Sequence, residues 1–491
     1  VVLLTSMNLL AALVLICATA DGLQEPRLVY PRLLEERSSD GKLVLHIHDD
    51  LTLNLEQATV AAPQLRVIEE LDDATVTHMH DGNEINSNLY QDRQQLATVE
   101  VKRRENNAEI TGIVGPNHRI EPAPAMERLE SGLIPHLVHE IKHRKVHDKA
   151  VPFMEKVKGS PLSARDDYNS YYPNKIIVEV FLVADHAYYS TFRGPREALI
   201  YACILLNSVN LRLSDMQSPM VSLALIGIQN CRSEDYLHYS YRLEYDMTTL
   251  TKFQKYGARK RAEFGNPDIL FHLSGSDDSY GNWGSRSTGI AYVGGVCSEY
   301  YVGLAEDDAG LFSGVFIVTH ELGHLLGCEH DGSGPTSYIE GHPGATSCSW
   351  NEGYIMSYVD KGPNHHQFSY CSLLQMRYVL YKRGRKCWDV ISRTRNVTRK
   401  YPGYRPDLSM RICRKVYPDK QNLEAKVIIE KGDHCKLSCK YTEGNGYYSR
   451  WYSTIKDAPD YSSCGENKAC VRGRCVYAVI RRKNSTGRRR R

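Results

Sequence analysis

The segment from His320 to Asp331 reads H-E-L-G-H-L-L-G-C-E-H-D and constrains the local fold more than any other part of the chain. An α-helix places His320 and His324 one turn apart on the same face, because they are four residues apart. Gly327 tolerates a positive φ and can end that helix in a sharp turn. The turn lets His330 return to the same point. The spacing therefore predicts a helix whose end gathers three imidazoles.

Three neutral imidazoles at one point are a ligand set typical of catalytic zinc, which keeps a fourth position open. An ion held in this way retains its full charge and lowers the pKa of bound water to about 7. Glu321 follows the first histidine and is expected to act as a general base without binding the metal. A bare H-E-x-x-H pattern also occurs on buried helices with ordinary histidines. The added glycine, third histidine and aspartate strongly favour the metal site.

The residues on both sides extend this prediction. Frequent apolar positions and the absence of proline predict a helix from Ala309 to Leu326. Downstream, residues 354–358 read Y-I-M-S-Y, which resembles the methionine-containing turn that lies beneath the metal in metzincins. In that comparison Met356 has a structural role and does not take part in the reaction.

The zinc motif ending in Asp331, the strand-like segment 176–186 and the segment 289–297 together resemble the adamalysin (reprolysin) branch of the metzincins. The layout is also similar to that of secreted salivary metalloproteases of ticks. The resemblance implies an α/β fold: a metzincin catalytic domain with a twisted mixed sheet, a zinc-binding helix and a Met-turn. A pro-segment would precede this domain, and a small disulfide-rich domain would follow it.

The same resemblance implies a secreted zinc metalloendopeptidase with one catalytic Zn²⁺. Its substrates would be extracellular proteins such as fibrinogen, fibrin or matrix proteins, with an anti-haemostatic effect in a bitten host. A substrate strand would lie along residues 289–296. Asp331 would hold the ligand loop in place. Glu179 matches a calcium-ligand position of the family, but the other ligands of that site are not clearly matched, so Ca²⁺ binding is left open.

One position departs from the adamalysin pattern. Two residues after the turn methionine those enzymes usually carry proline, whereas this chain has Tyr358. A tyrosine there is found in the astacin branch, where it can be an additional zinc ligand. A tyrosine that only packs in the wall of the site is the favoured alternative.

At 491 residues the chain is too long for one hydrophobic core. We expect a signal peptide at 1–20, a pro-segment at 21–165, the catalytic domain at 166–388, a cysteine-rich domain at 389–480 and a basic tail at 481–491. The apolar run that ends in Ala18-Thr19-Ala20 is shorter than the roughly 20 residues of a membrane span. It therefore favours secretion over a transmembrane anchor.

No cysteine occurs in the expected pro-segment, so latency through a pro-segment cysteine is unavailable. Asn117, His118 and Glu121 are alternative groups that could approach the metal, although solvated loop positions are the favoured interpretation for all three. The basic cluster at 142–145 is a candidate processing site.

The chain has 14 cysteines, of which Cys17 would leave with the signal peptide and none of the others precedes Cys203. Their density in a secreted chain predicts disulfides, and the odd number that remains implies a free thiol, an intermolecular bridge or an incomplete sequence. We expect Cys328 to form a disulfide that pins the turn between the histidines. The six distal cysteines predict a disulfide-stapled module and lack paired C-x2-C spacings typical of zinc.

The tail carries seven positive charges, although the whole chain has a formal net charge of +3. Such a block could bind heparan sulfate or an anionic cell surface, while nucleic acid is not an expected partner outside the cell. Asn396 and Asn484 lie in glycosylation sequons. Lys431-Gly432-Asp433 resembles an integrin-binding tripeptide. The alternative function is therefore an integrin- or cell-surface-binding protein that acts through its cysteine-rich module, with proteolysis secondary.

Overall fold

The computed structural model describes residues 25–35, 43–70, 75–104, 107–123, 132–144, 148–152, 173–232, 236, 247–275, 288–390, 408–430, 434–444, 449–459, 462–465, 468–471 and 474–477. The expected signal peptide, both sequon asparagines, the Lys431-Gly432-Asp433 tripeptide and the basic tail lie outside the described residues.

Within these ranges the chain forms 23 strands and eight α-helices. The strands are β1 (Arg27–Val29), β2 (Arg32–Glu35), β3 (Leu43–His48), β4 (Leu51–Gln57), β5 (Ala61–Glu70), β6 (Thr75–Asp81), β7 (Leu89–Asp92), β8 (Ala97–Arg104), β9 (Asn107–Gly115), β10 (His118–Pro122), β11 (His136–Glu140), β12 (Asp148–Val151), β13 (Lys175–Asp185), β14 (Met220–Cys231), β15 (Ile269–Ser274), β16 (Gly289–Tyr292), β17 (Val302–Glu306), β18 (Leu423–Glu430), β19 (His434–Glu443), β20 (Arg450–Asp457), β21 (Ser463–Gly465), β22 (Lys468–Val471) and β23 (Arg474–Tyr477). The helices are α1 (Gly82–Asn88), α2 (His186–Tyr189), α3 (Pro195–Leu213), α4 (Met247–Lys260), α5 (Val315–Leu326), α6 (Tyr370–Arg383), α7 (Arg385–Trp388) and α8 (Leu408–Val416).

The central sheet has eight strands in the order β12-β16-β17-β15-β13-β14-β5-β6. Strand β13 pairs in parallel with β14 and β15, and almost all of its residues are buried. A continuous apolar strand of this kind is typical of a parallel sheet covered on both faces. Helix α3 packs against β14, and α5 packs against β16 and β17. This mixed α/β arrangement confirms the predicted fold class.

The described part of the amino-terminal segment 21–165 forms the whole of a second sheet. Its nine antiparallel strands follow the order β1-β11-β10-β9-β8-β7-β4-β3-β2. Buried and half-buried residues alternate along β3, as expected for a strand with one face toward the core. Leu43, Leu45 and Ile47 of β3 contribute to a hydrophobic core that belongs to this segment alone.

The same segment also contributes strands to the central sheet, at both of its edges. Strand β5 pairs in parallel with β14, and β6 lies outside it as an antiparallel partner. At the opposite edge β12 pairs in parallel with β16. The sequence did not indicate this, because a strand pattern does not identify the strand's partner.

Helix α5 begins later than the sequence predicted, at Val315 instead of Ala309. The φ angles of Gly310 and Phe312 are +87° and +59°, which is the left-handed region. These angles are incompatible with a right-handed helix, so the residues before Gly314 form turns.

The cysteine-rich region forms a six-stranded sheet, in which β18, β20 and β23 all pair with β19. Its three disulfides are Cys413–Cys439, Cys435–Cys470 and Cys464–Cys475. This confirms the prediction of a disulfide-stapled module. Among the described helices, none is both long and apolar enough to cross a membrane.

Two further disulfides, Cys297–Cys387 and Cys348–Cys371, lie between the end of β16 and α7. The expectation that Cys328 forms a disulfide is wrong: it is a free, fully buried thiol. Its Sγ donates a hydrogen bond to the carbonyl oxygen of Ser372 at 3.4 Å. Packing therefore holds the turn without a covalent link.

Candidate metal centre

Three imidazoles meet at the carboxyl end of α5. His320 and His324 lie on the helix with their ring centroids 4.9 Å apart, and His330 follows the turn with its ring centroid 4.8 Å from that of His324. The Nε2 atoms of His320 and His330 are 3.2 Å apart. The structure therefore brings together all three histidines that the sequence singled out.

The Nδ1 atoms of two of these histidines face backbone carbonyls. That of His320 is 2.7 Å from the Ile355 oxygen, and that of His324 is 2.6 Å from the Cys328 oxygen. Because a carbonyl can only accept, each Nδ1 carries the proton and each Nε2 presents a lone pair to the site. Nitrogen lone pairs this close repel one another unless a cation lies between them. The donor set therefore fits a metal ion that prefers nitrogen ligands.

The turn after α5 depends on Gly327, whose φ is +123°. Its N–H donates to the carbonyl oxygens of Gly323 and His324, which ends the helix. A Cβ at this position would lie 2.5 Å from Cγ2 of Val379. Only glycine satisfies both the backbone angle and the close packing, as the sequence spacing predicted.

Met356 lies directly beneath the helix. A Cβ on Gly323 would come 2.7 Å from its Sδ, so the glycine allows the methionine to pack against α5. The Met356 carbonyl accepts a hydrogen bond from the N–H of Asp331 at 3.0 Å. The Asp331 carboxylate accepts from the hydroxyl of Ser369, the residue that caps α6. Asp331 therefore connects the loop that carries His330 to the turn at Met356 and to α6. Burial raises the pKa of Asp331 to about 6.

Glu321 is fully buried, and neither carboxylate oxygen has a hydrogen-bond partner among the described residues. Burial raises its pKa well above the usual value, and the nearby charge of Asp148 adds to this. Gly289 of β16 lies against the carboxylate: a Cβ there would be 2.4 Å from Oε1. A buried carboxylate without partners is a group that a substrate or water can engage.

A fourth side chain, which the sequence did not single out, enters the cluster from β12. Asp148 Oδ2 lies 2.7 Å from Nε2 of His324 and 3.4 Å from Nε2 of His320, and Oδ1 lies 3.2 Å from Nε2 of His330. The carboxylate therefore lies where the metal would lie, with both oxygens facing imidazole nitrogens.

Tyr358 also reaches Asp148, because its hydroxyl donates a hydrogen bond to Oδ1. The ring packs edge-on against His330 and Trp350, with centroid distances of 5.5 and 4.8 Å. Tyr358 therefore forms part of the wall of the site, and its hydroxyl contacts the carboxylate.

Other sequence candidates lie away from this centre. Glu121 forms ion pairs with Arg119 and His139. Glu179 is buried in β13. Two clusters of side chains that could bind a metal ion occur among the described residues, and neither includes Glu179. The second of these groups consists of Cys435, Cys464 and Cys470, all of which are in disulfides and cannot bind a metal as thiolates.

Three imidazoles at a helix end, with a buried carboxylate beside them and a methionine beneath, are an arrangement typical of metallopeptidase sites. Residues 174–369 match the reprolysin-type family described as metallo-peptidase family M12. The chain therefore carries a reprolysin-type M12 metallopeptidase domain, and this domain implies a bound metal.

Several curated proteins are similar to the chain. A Bombyx mori protein called "a disintegrin and metalloproteinase with thrombospondin motifs like" is 29% identical over 324 residues, which are 62% of this chain and 45% of that protein. Venom metalloproteinase antarease-like TtrivMP_A of Tityus trivittatus is 28% identical over 56% of this chain and 72% of its own. Venom metalloproteinase BumaMPs1 of Olivierus martensii is 24% identical over 70% and 88% of the two chains.

Proposed function

We propose that the protein is a secreted zinc metalloendopeptidase that hydrolyses extracellular proteins. His320, His324 and His330 hold one Zn²⁺, and Glu321 is the general base. The observation that carries the proposal is the convergence of three imidazoles beside a buried carboxylate that has no partner among the described residues. Three protein ligands with one open position are the arrangement of catalytic zinc sites.

When bound, zinc supplies Lewis acidity that polarises a carbonyl and makes a water molecule more acidic. Glu321 takes a proton from the attacking water and returns it to the amine that leaves when the peptide bond breaks. The backbone acceptors at Ile355 and Cys328 keep the Nδ1 protons of His320 and His324 in place during this exchange. Gly289 leaves the space that the Glu321 carboxylate needs.

The substrate adds as an extended strand along β16 and the residues that follow, within 289–296. This edge of the sheet accepts a strand, because β12 pairs with β16 there. Main-chain hydrogen bonds to such an edge hold a peptide whatever its side chains, and pockets for alternate side chains provide the selectivity.

The metallopeptidase domain implies protein substrates, and the similarity to venom metalloproteinases favours secretion into the extracellular space. Fibrinogen, fibrin or matrix proteins are the proposed substrates. Calcium binding at Glu179, glycosylation at Asn396 and Asn484, and heparan sulfate binding by the basic tail are further parts of the proposal.

The test is cleavage of fibrinogen and gelatin by the processed protein. We expect Glu321→Ala to lower the rate by about 10²- to 10⁴-fold, a typical range for a lost general base. The matched control is Glu340→Ala, because Glu340 is exposed in the same domain. A zinc chelator should abolish cleavage, and adding Zn²⁺ should restore it. Full cleavage by a folded Glu321→Ala protein would contradict the assigned mechanism.

The same variant distinguishes proteolysis from the alternative function. If the protein acts as an integrin- or cell-surface-binding protein through its cysteine-rich module, the Glu321→Ala protein keeps its full effect on cells or clotting. If proteolysis is responsible, the effect is lost together with cleavage.

A further inference from the structure

We propose that Asp148 is a fourth metal ligand of the unprocessed chain, and that β12 keeps the enzyme latent by filling the substrate cleft. This inference rests on the proposed zinc site. The cluster of Asp148 with His320, His324 and His330 places four ligand atoms within 4.8 Å of one another. Such a set converts an open catalytic site into a closed, four-ligand site.

The chemistry of the carboxylate fits this role. Asp148 has no solvent-exposed side-chain surface, and both of its oxygens face imidazole Nε2 atoms. A buried anion needs a cation or strong donors around it. Because the Nδ1 protons of His320 and His324 face backbone carbonyls, their Nε2 atoms are not donors in the neutral rings. A metal ion satisfies all of these groups together.

The backbone of β12 lies where a substrate strand would lie. It pairs in parallel with β16 from Asp148 opposite Gly289 to Val151 opposite Tyr292. The Val151 carbonyl then accepts a hydrogen bond from Val293 N–H at 3.1 Å. The same four residues therefore cover the metal position and use the sheet edge that a substrate needs.

A short strand needs an anchor, and Arg144 supplies one just before β12. Its guanidinium lies 2.7 Å from Oε2 of Glu306 and also binds Asp308. Its backbone N–H donates to the Ser313 carbonyl oxygen at 3.3 Å. These contacts join the amino-terminal segment to residues that precede α5. The partly buried guanidinium group of Arg144 fixes the position of β12 along β16.

This arrangement restricts where an activating cut can fall. Cleavage in the basic cluster at 142–145 would leave Asp148 attached to the catalytic domain, and the cleft would stay filled. A productive cut must follow Val151, which points to the sequence between 152 and 173. Even then the fragment remains bound, because Glu70 at the end of β5 is held by Lys260 and Gln229 at 2.8 and 2.7 Å. Activation therefore requires the fragment to leave after the cut.

The test uses the full chain with Glu321→Gln, which prevents self-cleavage, and with Co²⁺ in place of zinc. A peptide hydroxamate is the probe, and its binding is followed by the visible absorption of Co²⁺. We expect Asp148→Asn to strengthen the apparent affinity by roughly 100-fold, the factor expected if a blocked state is about 99% populated. Glu140→Gln is the matched control, because Glu140 is an exposed carboxylate on β11 of the same segment.

The outcomes separate this inference from the proposed function. If the chain binds no stoichiometric Co²⁺ or Zn²⁺, the zinc site itself fails. If it binds the metal and the probe binds equally well with and without the Asp148 carboxylate, only the latency proposal is overturned. Should Asp148→Asn unfold the chain, Asp148→Glu serves in its place. This change keeps the charge but lengthens the side chain, so the Co²⁺ spectrum must shift if residue 148 is a ligand and must stay unchanged if it is not.

Discussion

Gly289 leaves no room for a side chain beside Glu321, because a Cβ on residue 289 would lie 2.4 Å from Oε1 of the carboxylate. The two residues are on different elements, β16 and α5, so the contact fixes how the sheet edge meets the helix. The position of the proposed general base is therefore set by the strand along which the substrate is proposed to bind.

Gly289→Ala should displace the Glu321 carboxylate and lower kcat/KM by at least about tenfold, since small misplacements of a catalytic group are costly. Metal content should not change, because the three histidines lie elsewhere. Steady-state kinetics with metal analysis measures both. Gly334→Ala is the control, as nothing lies within 4 Å of a Cβ there. Unchanged kcat/KM in the Gly289 variant would show that the carboxylate tolerates the displacement.

Gly327→Ala should weaken metal binding, because it disturbs the turn that carries His330. The added methyl group would meet Val379 at 2.5 Å in a backbone conformation that disfavours alanine. Gly332→Ala is the matched control: its φ is +88°, but no atom lies closer than 3.8 Å to the added Cβ. Metal competition with a chromogenic chelator should show a weaker site only for Gly327→Ala. Equal metal affinities in the two variants would show that the contact with Val379 does not affect metal binding.

Loss of the Cys297–Cys387 disulfide should destabilise the protein more than loss of Cys348–Cys371. The first spans 90 residues and the second 23. By the relation between loop length and chain entropy, the disulfide that closes the longer loop should contribute about 1 kcal/mol more to the free energy of unfolding. Urea unfolding of the two double-serine variants tests the order. The reverse order would show that local packing outweighs the effect on the unfolded chain.

Acid should weaken the docking of the amino-terminal segment near His143 and His366, whose ring centroids are 6.4 Å apart. Burial lowers the pKa of His143, and burial together with Arg212, His365 and His143 lowers the pKa of His366 to about 3. The pKa of these histidines is lower in the folded protein than in the unfolded chain, where it is about 6.5. The fold therefore keeps its full stability above about pH 6.5 and loses stability as the pH falls toward 3, because the unfolded chain then binds more protons.

At pH 5 the loss from His366 is below about 2 kcal/mol, because the ring is partly exposed and solvent screens its charge. Urea unfolding at pH 7 and pH 5 should show a smaller pH effect for His366→Gln than for the unmodified chain. His78→Gln is the control, because that side chain is 49% exposed. If both variants keep the same pH dependence as the unmodified chain, His366 is not responsible for it.

Arg144→Met should speed the loss of the amino-terminal fragment from a chain cut between residues 152 and 173. The change removes the ion pairs with Glu306 and Asp308. Arg93→Met removes an exposed ion pair with Glu56 inside the same segment and should have no effect on retention. Size-exclusion chromatography of the cut protein measures the retained fragment. Equal retention in the two variants would remove Arg144 as an anchor.

The sequence predicted the local part of the site, since helix periodicity and a glycine turn determine where His320, His324 and His330 lie. The strand-like segment 176–186 likewise corresponds to β13. The start of α5 was misplaced because the left-handed angle of Phe312 leaves no mark in an apolar pattern. The thiol of Cys328 was assigned to a disulfide because composition does not distinguish a buried thiol from a bonded one.

Asp148 could not be found from the sequence. It is a single aspartate whose partners lie 172 or more positions later, and its role depends on the pairing of β12 with β16. Strand pairing between distant segments is set by the tertiary fold, and periodicity within either segment does not record it. The signals that the sequence does carry near Asp148, a basic cluster and a short apolar run, are common in ordinary surface strands.

The pairing of β5 with β14 bears on how the metallopeptidase domain folds. The sheet includes strands that the proposed processing would later take away, so we expect the amino-terminal segment to act as a template for folding. An enzyme that has lost β5 would owe its persistence to a slow unfolding rate. Once denatured, it would lack the strand that pairs with β14, and we expect refolding yields to be low unless the amino-terminal fragment is added back.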